Sequence, residues 1–401
     1  MKNIYNIICS IVLVIMVISG CKKPYEPPVI SSNNSYLVVE GLINSGTDST
    51  FIKLTRTVKL SSKAAPGPEL NAVVTVESDN NNTYTLQEAG NGLYQSASLN
   101  LSSTSKYRLR IKTTDNKEYL SDFVPAKITP PIDSISYAVQ NNGVQFSANT
   151  HDPSNSTRYY RWDFDETWQY ISYYQSFYKM DSTGYPTYRI YYNGPDNIYQ
   201  CYATAQSLQI LLGSSIKLTS DVISQQPVDF IAAGSGKVSH GYSLMLRQYA
   251  LTADGFAYWQ NVKKNTEQLG SIFDAQPSTL QGNIHCISNP AEPVIGFISA
   301  STVTAKRLYV DNHFAGLFVP FYVEPPDAGA CPLKAIMIAP EQSFQDRLNQ
   351  VFRNGDTVLV NAIQPPGAPA IVGYSYAWNE CVDCRTRQPY GTNTHPVFWP
   401  Y

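Results

Sequence analysis

The sequence predicts a mainly β protein, in which an N-terminal immunoglobulin- or fibronectin-like sandwich is followed by a larger β-rich domain with two helices. The first observation is a series of short runs, rich in β-branched and aromatic residues, with apolar and polar positions alternating. The second is that turn-forming Asn, Gly and Pro residues separate these runs. The third is their number, because about six strands in about 90 residues is the size of an immunoglobulin-like module.

The predicted N-terminal domain covers residues 36–125. Its predicted strands are residues 36–43, 49–58, 72–78, 82–88, 92–99 and 106–114. In the last of them the apolar residues Tyr107, Leu109 and Ile111 alternate with basic residues. This pattern predicts a sheet with one buried and one solvent-facing side.

The larger domain is predicted to cover residues 126–401, after a proline-rich boundary that contains Pro130 and Pro131. Consecutive prolines exclude a helix and interrupt a strand ladder. Further strands are predicted at residues 134–140, 143–150, 156–164 and 240–252. The last of these has apolar residues on both faces, which favours a central position in its sheet.

Two helices are predicted within the larger domain. Thr252 can cap the first, near residues 253–269, and the second is predicted near residues 340–354 with Pro340 in its first turn. The apolar stripe of the first consists of Phe256, Trp259, Val262, Thr266 and Leu269, and that of the second of Phe344, Leu348, Val351 and Phe352. We interpret both stripes as faces that pack against a sheet.

The first 20 residues predict a signal peptide that ends at a lipidated cysteine. The apolar run from Ile7 to Ile18 has the length of a signal-peptide core and is too short to span a bilayer. Ile18, Ser19 and Gly20 then precede Cys21 in the pattern of a bacterial lipobox. Acyl chains on Cys21 would anchor the mature protein, and residues 21–35, rich in Pro, Ser and Asn, would form a tether.

The composition argues against a nucleic-acid partner. Charged residues make up 15% of the chain, the formal net charge is -2 and the pI is about 6.2. Nucleic-acid binding requires a basic face, which this composition does not supply.

Five cysteines remain in the mature chain after Cys21: Cys201, Cys286, Cys331, Cys381 and Cys384. Export to an oxidising compartment favours two disulfides among them, with one cysteine left over and the connectivity open. Cys381 and Cys384 form a Cys-x-x-Cys pair that could bind zinc together with Cys331 and His395. One such pair is half of a zinc signature, so we favour a structural disulfide that locks the C-terminal tail, and we predict no metal.

No catalytic motif stands out, and we predict neither an enzyme nor a cofactor. The five histidines are isolated, and the Gly234–Lys237 segment lacks the first glycine of a phosphate-binding loop, so we interpret it as a turn. Asp163, Asp165 and Glu166 lie close together in the sequence. They could bind a cation, but a solvated strand edge is the favoured interpretation because no calcium-loop glycine accompanies them.

Aromatic residues are concentrated between positions 159 and 202. Tyrosine combines a rigid apolar ring with a polar tip, which suits binding surfaces as well as strands and cores. We take the segment 168–192 as the candidate contact surface, for a partner protein or for sugars. Its candidate residues are Trp168, Tyr170, Tyr173, Tyr174, Tyr178, Tyr185 and Tyr188.

Beside the lipobox, several segments together resemble a known family. They are residues 37–41, 131–135, the long run 242–284, residues 294–297, Cys381-x-x-Cys384-Arg385 and residues 398–400. The chain resembles a Bacteroidota lipoprotein family known as domain of unknown function 4249. The resemblance covers nearly the whole mature chain and implies no catalytic residues. It implies a gene neighbourhood with TonB-dependent receptors and therefore an accessory role in the cell envelope.

Three functions remain open from the sequence. The leading hypothesis is a non-catalytic lipoprotein anchored in the outer membrane, on the cell surface, as an accessory subunit of a TonB-dependent receptor for ligand capture or structural bracing. The second is a surface adhesin that binds a glycan or peptide on its own. The third is an unfamiliar enzyme built on the carboxylates near residue 165 or on the Cys381–Cys384 pair.

Overall fold

The computed structural model describes residues 35–58, 65–189, 194, 196–267, 281–311, 330–338 and 343–400. The lipobox, most of the tether and Leu269 lie outside the described residues, so the predictions made for them remain predictions. Within the described ranges, no helix is both long and apolar enough to cross a membrane.

The described chain is mainly β, as predicted. Its first twelve strands are β1 (Leu37–Asn44), β2 (Thr50–Arg56), β3 (Gly67–Pro68), β4 (Val73–Ser78), β5 (Thr83–Gly90), β6 (Leu93–Ser96), β7 (Lys106–Lys112), β8 (Glu118–Ser121), β9 (Val124–Lys127), β10 (Ile132–Gln140), β11 (Gly143–Asp152) and β12 (Tyr159–Ile171). The others are β13 (Tyr178–Met180), β14 (Pro186–Tyr188), β15 (Gln200–Gln206), β16 (Leu211–Ser214), β17 (Asp221–Ala232), β18 (Tyr242–Ala250), β19 (Ile284–Cys286), β20 (Ile295–Gly296), β21 (Ala300–Ser301), β22 (Val303–Val310), β23 (Lys334–Met337), β24 (Thr357–Ile363) and β25 (Gly373–Trp378). The helical segments are α1 (Ala253–Glu267), α2 (Phe344–Phe352), α3 (Asn379–Val382) and a 3-10 turn at Cys384–Thr386.

The N-terminal strands form a closed ring around one hydrophobic core. The ring runs β7-β4-β5-β6-β2-β1-β21-β9, and β9 pairs back with β7. Leu37, Ile52 and Val74 are fully buried inside it. The predicted alternation in β7 is confirmed, since Tyr107 and Ile111 are buried and the basic residues between them are not. This arrangement is compatible with the predicted sandwich.

Three short strands of the ring region come from late in the sequence. β21 closes the ring between β1 and β9, β20 pairs with β1, and β19 pairs with β8. Gly296 in β20 has a φ of +146°, and a Cβ there would lie 2.3 Å from the carbonyl oxygen of Val39. The boundary predicted near residue 125 remains a prediction, but segment 284–301 belongs structurally to the ring.

The second group of strands encloses a separate core. One sheet runs β10-β11-β17, and the other runs β15-β12-β18-β22, with β16 also paired to β12. Phe146, Trp162, Tyr242 and Leu244 are among the buried residues of this core. The prediction that the strand near residues 240–252 is central is confirmed, since β18 lies between β12 and β22.

A buried glutamine ties this core together. Gln248 in β18 is fully buried, and its Oε1 accepts a hydrogen bond of 2.8 Å from Trp162 Nε1. Its Nε2 donates to the carbonyl oxygen of Pro130 at 2.8 Å and to Thr150 Oγ1 at 3.0 Å. One side chain thus connects β18 with β12, with β11 and with the segment that enters β10.

Both predicted helices are present, with local differences. Thr252 caps α1 as predicted, because its Oγ1 accepts a hydrogen bond of 3.1 Å from the Gly255 amide. The buried residues of α1 are Gly255 and Tyr258, while Phe256, Trp259 and Val262 of the predicted stripe are only half-buried. The buried face of α1 is therefore displaced by one residue from the predicted stripe. On this buried face Tyr258 stacks on Phe297, with the ring centroids 5.3 Å apart.

Helix α2 packs as predicted but begins later in the described chain. Ser343 is its N-cap, with its side chain accepting from the Asp346 amide, and Leu348 is fully buried. Residue 340, the predicted start, lies outside the described residues. The helix packs beside the sheet β23-β25-β24 and the hairpin β13-β14 in a third, smaller core.

Candidate ligand-binding cleft

A cleft of about 820 Å³ lies between the edge of the N-terminal ring and the outer face of the second core. Strand β1 and segment 295–297 form one wall, and strands β12, β18 and β22 with helix α1 form the other. Its volume falls within the range of small-molecule sites, which is about 300–1,000 Å³. The cleft is the leading candidate site in the described part of the chain.

Apolar side chains form most of the cleft surface. They come from separate parts of the sequence: Val38, Leu42, Phe51, Tyr249, Tyr258, Trp259, Val262, Ile295, Phe297 and Val303. Phe51 remains 48% exposed although it belongs to a strand, so its ring is available to a ligand. An apolar cleft with a few polar groups is the usual arrangement of a ligand site.

Arg161 of β12 lies in the aromatic wall. Its guanidinium carbon is 4.5 Å from the ring centroid of Tyr249 and 4.5 Å from that of Trp259. The two rings hold the planar group by cation–π contacts and stacking. Burial, together with the nearby charge of Asp163, raises the pKa of Tyr249 to about 12, so this ring stays neutral beside the arginine.

Arg247 of β18 also lines the cleft, but two carboxylates neutralise it. Its Nε donates to Asp163 Oδ1 at 2.6 Å, and its Nη1 donates to Asp165 Oδ2 at 2.6 Å. The hydrogen bond from Arg247 holds the pKa of Asp165 below its ordinary value. These aspartates therefore do not form the predicted solvated edge, because the neighbouring strand supplies an arginine directly beside them.

Glu166, the third carboxylate of that sequence cluster, is buried on the other face of β12. It accepts hydrogen bonds from Lys237 Nζ and from the Tyr242 hydroxyl, the latter at 3.2 Å. The same hydroxyl lies 2.9 Å from Asp229 Oδ2 on β17. A hydroxyl carries one proton and can donate to only one of two carboxylates. One of the two carboxylates therefore lacks this donor. Burial raises the pKa of Asp229.

The Asp229→Asn variant is expected to be more stable than the wild type at neutral pH. A group whose pKa is raised by folding stabilises the protein below its unfolded pKa, and that contribution is lost as the pH rises through the folded pKa. Asparagine has nearly the same size as aspartate, and its neutral amide can donate to the Tyr242 oxygen. The variant therefore does not lose stability as the pH rises through the folded pKa of Asp229.

Urea unfolding from pH 4 to pH 8 checks this expectation. The difference in unfolding free energy between variant and wild type should grow as the pH rises above the ordinary range of aspartate. A difference that is constant with pH would show that Asp229 does not bind its proton more tightly in the folded protein. Asp356→Asn, at an exposed carboxylate, is the matched control.

The structure separates the aromatic candidates of segment 168–192 into buried and exposed sets. Tyr170 and Tyr178 are 7% and 5% exposed, so their rings lie in cores and are not available to a partner. Trp168, Tyr173 and Tyr174 are half-buried. Tyr185 and Tyr188, on the hairpin β13-β14 and its turn, are 52% and 73% exposed and remain surface candidates.

Four of the five candidate cysteines form two disulfides in the structure. Cys201 pairs with Cys384, Cys331 pairs with Cys381, and Cys286 is left as a buried free cysteine. The two members of the Cys-x-x-Cys pair thus bond to distant cysteines and not to each other. Both bonds fasten the C-terminal part of the chain, but the sequence spacing could not show that the two cysteines have different partners.

Among the described residues, no group of three or more His, Cys, Asp or Glu side chains is placed to hold a metal ion. His395, once considered with Cys331 as a zinc ligand, lies instead with its ring 5.5 Å from that of Tyr202. The Gly234–Lys237 segment forms part of a turn, as interpreted from the sequence.

Sequence reasoning did not identify the cleft. Trp259 and Val262 belong to the stripe that was predicted to pack against a sheet, and Arg161 lies within the strand predicted at residues 156–164. The available signal was that Arg161 shares its strand face with Asp163 and Asp165, whereas Tyr160, Trp162 and Phe164 alternate on the other face.

The fold and cleft describe a mainly β, multi-core protein whose described residues form a ligand-sized cleft. A family model described as Domain of unknown function (DUF4249) matches residues 22–307, and the chain belongs to this family. The family named in the sequence analysis is thereby confirmed over these residues, while its Bacteroidota origin and its neighbourhood with TonB-dependent receptors remain predictions. No curated protein matches the chain.

Two solved structures are similar to parts of the chain. One, from Bacteroides uniformis, is described as a candidate carbohydrate-binding protein; it has 9% identity, covers 55% of this chain and 91% of its own, and has a TM-score of 0.15. The other is the adhesin InvE of Yersinia pseudotuberculosis, with 14% identity, 55% and 56% coverage and a TM-score of 0.14. TM-scores this low carry no argument about the site.

Proposed function

We propose that the protein is a non-catalytic outer-membrane lipoprotein that captures a small ligand in the cleft and works beside a TonB-dependent receptor. The observation that carries this proposal is the cleft itself, which combines ligand-sized volume, an apolar lining and a small number of polar groups. The disposition of the carboxylates supports a binding role over catalysis, since Asp163 and Asp165 are already paired with Arg247.

The anchoring part of the proposal rests on the sequence. The lipobox ending at Cys21 and the polar tether after it would place the folded part near the outer membrane, on the cell surface. A capture protein at this position could pass its ligand to a transporter.

The hairpin β13-β14 is the candidate contact for the receptor. Tyr185 and Tyr188 are exposed there, and tyrosine is enriched at protein interfaces because its rigid ring buries area at a low entropic cost. The hairpin is held in place by Gln345 of α2, whose Nε2 donates to the carbonyl oxygen of Gly184 at 2.8 Å.

Affinity purification from detergent-solubilised outer membranes is expected to recover a TonB-dependent receptor with the tagged protein, identified by mass spectrometry. Replacing Tyr185 and Tyr188 together by serine should reduce that recovery about tenfold or more, because interface tyrosines often contribute more than 1 kcal/mol each. Tyr390→Ser, at a tyrosine that is 65% exposed outside the hairpin, is the matched control.

Two other outcomes are informative. Recovery of the tagged protein alone would contradict a stable complex and would favour the adhesin, to be tested on glycan arrays. Mass spectrometry of the purified protein is expected to show acyl chains on Cys21, and an unmodified Cys21 would contradict the proposed anchor.

A further inference from the structure

We propose that the cleft binds an amphipathic organic anion with a single acidic group, and that the guanidinium of Arg161 pairs with that group. This inference rests on the proposed function, because it names the ligand class for the same cleft. It follows from the unequal pairing of the two arginines in the wall.

Arg161 lacks the partners that Arg247 has. Its one hydrogen bond within the described structure runs from Nη2 to Asp163 Oδ2 at 3.5 Å, longer than an ordinary charge-assisted bond. Its Nε is buried and has no hydrogen-bond partner. Arg247, by contrast, has three hydrogen bonds of 3.0 Å or less to Asp163 and Asp165.

The rings around Arg161 prepare it for an acidic ligand. Tyr249 and Trp259 both contact the guanidinium, whose carbon lies 4.5 Å from each ring centroid, and the N–H groups at the edges of a guanidinium are the positions at which acceptors bind. A carboxylate can accept two parallel hydrogen bonds from such an edge. The Arg161 side chain is 21% exposed and lines the cleft, so a bound ligand can reach the group.

The rest of the lining selects the body of the ligand. Phe51 and Val262 present apolar surface in the same cleft. Glu40 and Asp48, both exposed, line the opposite wall and would repel additional negative charge. A molecule with an apolar body and one acidic group fits both conditions, whereas a polyanion does not.

A matched pair of small probes tests this inference on the full-length lipoprotein. N-acetyl-leucyl-tryptophan is used as the free acid and as its C-terminal amide, which differ only in the charged group. Isothermal titration calorimetry should show the acid binding at least about tenfold more tightly than the amide, as expected for one buried charge-assisted contact. This comparison does not depend on the folding of any variant.

Three variants locate the effect. Arg161→Gln should abolish the preference for the acid, so that the acid and the amide bind with equal affinity, and Arg347→Gln, at an arginine of helix α2, should leave the preference for the acid as in the wild type. Val262→Trp fills the cleft and should weaken both probes. Circular dichroism and thermal melts check that each variant is folded.

Failure of the anion inference and failure of the proposed ligand capture give different results in these experiments. Equal binding of acid and amide that Val262→Trp blocks would overturn the anion inference and leave ligand capture in place. Binding of neither probe at a Kd of about 1 mM or below, or binding that Val262→Trp does not affect, would overturn both. An acid preference that persists in Arg161→Gln would also overturn the role assigned to Arg161.

Discussion

Replacing Cys201 and Cys384 together by alanine is expected to lower the free energy of unfolding by about 4 kcal/mol, at the upper end of the usual range for a disulfide. The bond joins residues separated by 183 positions, so it removes a large part of the conformational freedom of the unfolded chain. The disulfide also fixes the C-terminal segment to β15. The Tyr170 hydroxyl holds the same segment, because it donates to the carbonyl oxygen of Cys384 at 2.9 Å.

Urea unfolding without reductant measures this loss, and the second disulfide is the matched comparison. The Cys331–Cys381 bond spans 50 positions, and loop-closure entropy predicts a loss smaller by about 1 kcal/mol for its alanine pair. The Cys286→Ala variant controls for the loss of a buried thiol alone. A larger loss for the shorter loop would show that native packing, and not chain entropy, dominates.

Replacing Gln248 by methionine is expected to cost about 3 kcal/mol, although the two side chains have similar lengths. The Trp162 Nε1–H would lose its acceptor inside the core. The other two partners keep an alternative bond, because the Pro130 oxygen also accepts from Thr304 Oγ1 and Thr150 Oγ1 also donates to Pro131. Most of the cost therefore comes from one orphaned donor.

A double-mutant cycle with Trp162→Phe isolates that cost. Phenylalanine has no donor, so Gln248→Met should be markedly less destabilising in that background. Gln95→Met, at an exposed position of β6, should change the unfolding free energy by less than about 0.5 kcal/mol. Equal costs of Gln248→Met in both backgrounds would refute the orphaned-donor explanation.

The strands could be predicted because their signal is local. Strand β7 shows it clearly, since Tyr107 and Ile111 alternate with charged residues and are buried as expected. Turn residues at fixed positions then set the strand ends to within a few residues. The mainly β class follows from such patterns without any knowledge of the strand order.

The cleft and its polar network could not be predicted in this way because they depend on contacts between distant strands. Asp163 and Asp165 alternate on one face in the sequence, but only the pairing of β12 with β18 brings Arg247 beside them. Gln248 occupies an inward position of β18 as an isolated polar residue, and its partners lie 86 to 118 residues away. The partners in the two disulfides are also distant in the sequence, with separations of 183 and 50 residues.

The closure of the N-terminal ring has a consequence for biogenesis. β21, which pairs with both β1 and β9, consists of Ala300 and Ser301, so the ring stays open until most of the chain has been synthesised. Until then, the edges of β1 and β9 expose unpaired backbone groups that can associate with other chains. Productive folding of this protein therefore depends on keeping the early strands apart from other polypeptides until the late segment arrives.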